Sequence, residues 1–99
     1  MPLYMDMHSI DGGVAVNDVA QAHLADLQTQ DLYGVRYLRY WVDEGAGKVF
    51  CLVDAPDAET AMRVHAEAHG AVATDVIAVD LSAVEAFLGR LGDPAPPAA

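Results

Sequence analysis

Residues 35–42 (VRYLRYWV) and 48–53 (KVFCLV) are two runs of branched and aromatic residues separated by the five-residue loop DEGAG. Side chains of this kind fit a pleated, half-buried surface, and a short Gly-bearing loop between two such runs closes a β-hairpin. A hairpin alone is marginal in water, so the flanking chain must supply strands or helices that cover it. Before it, residues 16–30 carry Val16, Val19, Ala20, His23, Leu24 and Leu27 as a stripe at helical spacing, with Asn17 or a neighbour as the cap. After it, Asp57 caps a second helix that runs through His69 and stops at Gly70.

The outer segments complete the pattern. Residues 3–8 (LYMDMH) alternate, with Leu3, Met5 and Met7 on one side and Tyr4, Asp6 and His8 on the other. Residues 9–13 (SIDGG) form a loop, residues 75–80 (DVIAVD) a fourth strand, and residues 82–90 a short amphipathic helix. Residues 92–99 are a Pro/Ala-rich stretch that reads as a disordered tail. There is no internal repeat. The order is β-α-β-β-α-β with a short C-terminal helix, which is ferredoxin-like: an α+β fold, one domain over residues 1–91, with a four-stranded antiparallel sheet and helices on one face. Right-handed crossovers are expected to bring strand three between strands one and four. The open face is expected to carry Tyr4, Asp6 and His8 with one alternation set of the aromatic strand, Tyr37 or Tyr40 and Trp41. Such a face predicts a homodimer.

The 99 residues carry a formal charge of −10 with five Lys plus Arg. That surface repels phosphate backbones and anionic membranes, so neither nucleic acid nor membrane is an expected partner. It concentrates cations instead. The single cysteine, Cys51, forms no internal disulfide. The start, MPLYMDMHSIDGG, lacks the basic region of a signal peptide, and no apolar run approaches the ~18 residues of a membrane span. A soluble cytoplasmic protein is expected.

The topology places chemistry at one end of the sheet. His8 ends strand one, His69 ends the second helix, and His65 lies one turn below it on the same helical face. Asp43 and Glu44 of the hairpin loop and Asp75 of strand four belong to the same end. Neutral imidazoles with such spacing share a divalent ion when a third ligand comes from elsewhere, and the helix C-terminus favours a cation. His8, His65 and His69 are therefore the candidate ligands; the alternative is a packed core histidine at His65 and a dipole-stabilising one at His69. Asp6 and Tyr4, on the His8 face of strand one, could complete the set. Glu67 faces solvent in the monomer, where a second subunit could use it. Cys51 reads first as a small buried hydrophobe and second as a thiolate ligand. His23 reads as a satisfied core histidine.

Catalytic signatures are thin. HAEAH has the histidine spacing of a metalloprotease helix, but its Glu is displaced by one residue and points elsewhere. Tyr33, Tyr37, Tyr40 and Trp41 could line an open-face pocket, which makes a small dimeric oxygenase- or isomerase-like enzyme the alternative function.

The segments YMDMHS, AHLADLQTQ, YWVDEGAGKVFCLVDAPDAE and VHAEAHGAVATDVIAV, spanning most of residues 4–79, resemble a family of small bacterial proteins long described only as a domain of unknown function. Its best-described branch is nickel-binding and nickel-responsive in name. VFCL followed by AP marks the wider family, and H-x-E-x-HG marks the nickel branch. The resemblance implies a ferredoxin-like dimer that holds nickel ions between its subunits. It also makes Ni2+ the expected cofactor, ahead of the Zn2+ or Cu2+ that the same donors accept. Storage, buffering or delivery of nickel would be the role. The chain departs from the family at Ala71, where a bulky aliphatic is usual, and at Thr74, where the first of two acids is usual.

Overall fold

The computed structural model of the protein describes residues 2–79. The expected C-terminal helix, tail and domain boundary at residue 91 lie outside these residues. Strand β1 (Leu3–Ser9) leads to helix α1 (Val16–Thr29) and a 3-10 turn (Gln30–Tyr33), which Gly34 ends in the left-handed region (φ 64°). Strand β2 (Arg36–Asp43), strand β3 (Lys48–Asp54), helix α2 (Ala58–Ala68) and strand β4 (Asp75–Val79) follow. The result is a four-stranded antiparallel sheet with two helices, the α+β arrangement expected of the hairpin and its flanks.

The strand order is β2-β3-β1-β4, so β3 lies between β2 and β1 and not between strands one and four. β1 takes the inner position beside β4. Like Val53 of the other inner strand, β3, Asp6 on the face of β1 that meets the helices is fully buried.

The caps explain the helix boundaries. Asp57 accepts from the Thr60 amide at 2.7 Å and fixes the start of α2, as expected. The start of α1 has no capping side chain of its own, neither Asn17 nor the N-cap residue Ala15. Glu44 in the hairpin loop reaches it, its Oε1 accepting from Val16 N at 2.9 Å. A carboxylate there also faces the positive end of the helix. The loop is held by close backbone approach: a Cβ on Gly47 (φ +65°) would fall 2.0 Å from the Ile10 carbonyl oxygen.

Two expected faces are reversed. Tyr4, Asp6 and His8 turn towards the helices, as do Tyr37 and Tyr40 of β2. Tyr37 is buried, its hydroxyl donating to the Ala61 carbonyl at 2.7 Å. The open face carries Trp41, as expected, and with it Met5, Met7, Phe50, Leu52 and Ile77, paired across the strands, with Ile77 59% and Trp41 43% exposed. On α1 the buried positions are Val19 and Asp26, whereas Val16, Leu24 and Leu27 of the expected stripe are exposed.

Candidate metal centre

Four elements aim polar side chains into one buried space between the sheet and the helices. Alternation along β1 brings Asp6 and His8 inward two residues apart, and Cys51 of β3 stands opposite Asp6 in register. On α1, Val19, His23 and Asp26 follow the i, i+4, i+7 spacing of one helical face. On α2, His65 enters from the buried face beside Ala61 and Val64, and His69 caps the helix one turn later.

His65 is the hub. Its ring is 1% exposed and lies between two carboxylates, with Nδ1 2.9 Å from Asp26 Oδ1 and Nε2 3.0 Å from Asp6 Oδ2. His69 Nε2 is 3.1 Å from the same Asp26 oxygen and 3.2 Å from His65 Nδ1. The Ala71 amide donates to His69 Nδ1 at 3.1 Å, which assigns the proton of a neutral His69 to Nε2, facing Asp26. His8 Nε2 lies 3.1 Å from Asp6 Oδ1, a buried oxygen with no aligned hydrogen bond. Tyr37 stacks against His65 with centroids 4.5 Å apart and closes that side.

This arrangement sets the charges. Burial opposes a charge on His65, but its hydrogen bonds to Asp26 and Asp6 outweigh burial and push its pKa up to about 9. Burial likewise works against the Asp6 carboxylate, yet His65 and His8 hold its pKa below the usual value. Without a metal, then, His65 is an imidazolium clasped by two carboxylates. The Cys51 thiol is pushed well up by burial, with the Asp6 charge adding to it, so it stays protonated there.

Two donor sets share His65. Asp6, His8, Cys51 and His65 form one, and Asp26, His65 and His69 form the other; within each set the donor atoms lie within 4.8 Å of one another. The chemistry fits a divalent transition-metal ion. Imidazole and carboxylate suit nickel, copper and zinc. Whichever nitrogen of His65 binds, the other keeps a carboxylate for its N–H, the arrangement that usually orients a ligating histidine. Asp6 Oδ1 supplies a buried oxygen without a hydrogen bond.

Of the residues singled out in the sequence, His65, His69, His8, Asp6 and Cys51 meet at this centre. Tyr4 packs at the edge of the core outside both sets. Glu67 is exposed and accepts a hydrogen bond from the Tyr33 hydroxyl, also outside them. Asp43 turns back to the Ala46 amide, Glu44 caps α1, and Asp75 is exposed opposite Met7. Thr74 ties β4 to β1, its amide donating to the Met7 carbonyl at 2.8 Å and its hydroxyl accepting from Ser9 N at 3.3 Å. Asp26 is the member the sequence reading passed over. The signal was its place three residues after His23 and seven after Val19.

His23 is not a satisfied core histidine: its buried Nδ1 has no hydrogen-bond partner. It lines a cavity of about 200 Å³ between α1 and the sheet, one wall of which is the donor cluster. This cavity lies on the helix-covered face. On the open face Trp41 and Ile77 are exposed. Among the described residues no helix is long and apolar enough to cross a membrane.

The sequence model of a family described as nickel responsive protein SCO4226-like matches residues 4–79. The crystal structure of SCO4226 from Streptomyces coelicolor A3(2) is similar, with 35% sequence identity and a TM-score of 0.74. The match covers 81% of this chain and 98% of that one. No curated protein matches the chain.

Proposed function

The chain belongs to the SCO4226-like family of nickel-responsive proteins, and from that premise we propose that it binds a divalent transition-metal ion, nickel first, through His65. The observation that carries this reading is the burial of His65 between Asp6 and Asp26, with His69 and His8 in reach of the same carboxylates. The ligands proposed are His65, His69 and Asp26 on one side and Asp6 and His8 on the other, with Cys51 in reserve once its proton is lost. All come from one chain. Were His69 to ligate through Nε2, its proton would sit on Nδ1 and the Ala71 amide would lose its acceptor, so the turn at residues 69–71 would have to readjust. Nickel buffering, storage or delivery in the cytoplasm is the role that suits a small acidic binder.

Calorimetric titration of chelator-stripped protein tests the reading. Nickel is expected to bind with a Kd tighter than about 10 µM. His69→Ala and Asp26→Asn should each weaken it by roughly tenfold or more. Failure of nickel, zinc and copper alike to bind would remove the proposal.

We propose further that the protein is a homodimer through the open sheet face. A contiguous apolar surface of Met5, Met7, Trp41, Phe50, Leu52 and Ile77 is costly to leave in water, and the donor sets lie on the other side of the sheet from it. Sedimentation at micromolar concentration should give about twice the 10.5 kDa chain mass, and Trp41→Glu should give the monomer. A parent protein that sediments as a monomer with and without nickel would exclude the dimer.

A further inference from the structure

The cavity of about 200 Å³ beside α1 has features that a metal site does not use. Val19, Ala22 and Val49 give it hydrocarbon walls, and Tyr40 and His23 stand side by side with ring centroids 4.7 Å apart. A dry cavity of ~150 Å³ with such walls accepts a benzene ring, so this one has room for a ring with one substituent. It is too small for a drug-sized ligand, whose pockets run from roughly 300 Å³ upwards.

One polar atom is left over. His23 Nδ1 is buried and has no partner, although buried polar atoms are almost always bonded. Burial lowers the pKa of His23 and keeps it neutral. Nδ1 can then donate or accept one hydrogen bond, according to tautomer. Asp18 and Asp26 lie in the cavity wall, and the whole chain carries −10, so an anionic guest is repelled.

We infer that this cavity is a binding site for a small uncharged ring compound bearing a single hydroxyl or ring-nitrogen group, which fills the space against Val19, Ala22 and Tyr40 and bonds His23 Nδ1. The proposed hydrogen bond and apolar contacts come from His23, Val19, Ala22 and Tyr40, none of them in the donor sets, although the donors form the adjoining wall. A hydroxyl serves either tautomer of His23, since it both donates and accepts.

Phenol is the probe, titrated into chelator-stripped full-length protein and followed by the NMR shifts of the Val19, Ala22 and Val49 methyl groups. Saturation with a Kd below about 1 mM is expected. Toluene, which has the ring without the hydroxyl, should bind about tenfold more weakly, and benzoate should not bind. His23→Phe should erase the preference for phenol over toluene. Ala22→Leu fills the space and should abolish phenol binding while nickel binding persists. The inference is overturned if phenol gives no saturable shifts up to about 10 mM, or if benzoate or toluene binds as well as phenol. It is also overturned if a folded Ala22→Leu protein keeps its phenol affinity. Should Ala22→Leu not fold, the comparison of phenol, toluene and benzoate on the parent protein and on His23→Phe decides the matter alone.

Discussion

His65→Ala is expected to destabilise the metal-free protein by roughly 3–5 kcal/mol, the cost of removing one partner from a buried ion pair. The side chain is 1% exposed and stands between two carboxylates that are 0% and 2% exposed. Removing the imidazolium leaves Asp6 and Asp26 buried with no cation between them, and it also opens a cavity beside Tyr37. For a domain of this size each kcal/mol lowers the thermal midpoint by about 4–8 °C, so the variant should melt far below the parent. Urea unfolding at pH 6, followed by circular dichroism, measures the loss. The same position combined with Asp6→Asn and Asp26→Asn should lose less than the sum of the three single changes, because the stranded charges are gone. A His65→Ala protein within ~1 kcal/mol of the parent would mean that the carboxylates are not clasping a charged ring.

The same three residues show where the sequence could and could not be read. The β-α-β-β-α-β order was legible because the hairpin, the Asp57 cap and the Gly70 stop are each local signals. The orientation of β1 was not. Leu3, Met5 and Met7 look like the buried set, and Tyr4, Asp6 and His8 like the exposed one, if the core is taken to be apolar. Here the inner face of β1 carries a charged side chain, Asp6, whose partner His65 arrives from α2 and is itself held by Asp26 of α1, and no periodicity within β1 announces either. On β3 both faces are apolar, with Val49, Cys51 and Val53 inward and Phe50 and Leu52 outward, so that strand could not correct the error. Asp26 was missed for the same reason. The stripe drawn through His23 and the apolar residues takes in Leu24 and Leu27, which are exposed, and skips the carboxylate that faces the core. The histidines were legible because the i, i+4 pair and His8 converge by topology alone. The Glu44 cap on α1 was not, because it comes from a loop distant in the chain.

Nickel should stabilise the protein more at pH 8–9 than at pH 6, and by a growing margin, because the ion and a proton compete for His65. Consider first the metal-free protein. His65 titrates near 6.5 when unfolded and at about 9 when folded. Its contribution is therefore complete below pH 6.5 and is lost as pH rises through about 9. At about 1.36 kcal/mol per pKa unit that loss is roughly 3 kcal/mol. Asp6 works in the opposite direction, its folded pKa lying below 3.8. Its contribution is complete above pH 3.8 and disappears as pH falls through the depressed folded value. With respect to these two groups, metal-free stability is greatest between their unfolded pKa values and declines on the alkaline side. A ligating nitrogen, by contrast, must shed its proton. Across the range in which folded His65 is still protonated, nickel affinity should rise about tenfold per pH unit for each proton released. The two stability curves then diverge with pH. Thermal unfolding at a fixed micromolar excess of nickel, against a chelator-stripped control, should give a midpoint difference that widens steadily from pH 6 to pH 9. In Asp26→Asn the imidazolium loses a carboxylate, so the proton leaves more readily; the difference should be smaller, because a ligand is also lost, and its widening should level off at lower pH than in the parent. A midpoint difference that is flat across this range, or that narrows, would show that His65 is not where nickel and proton meet.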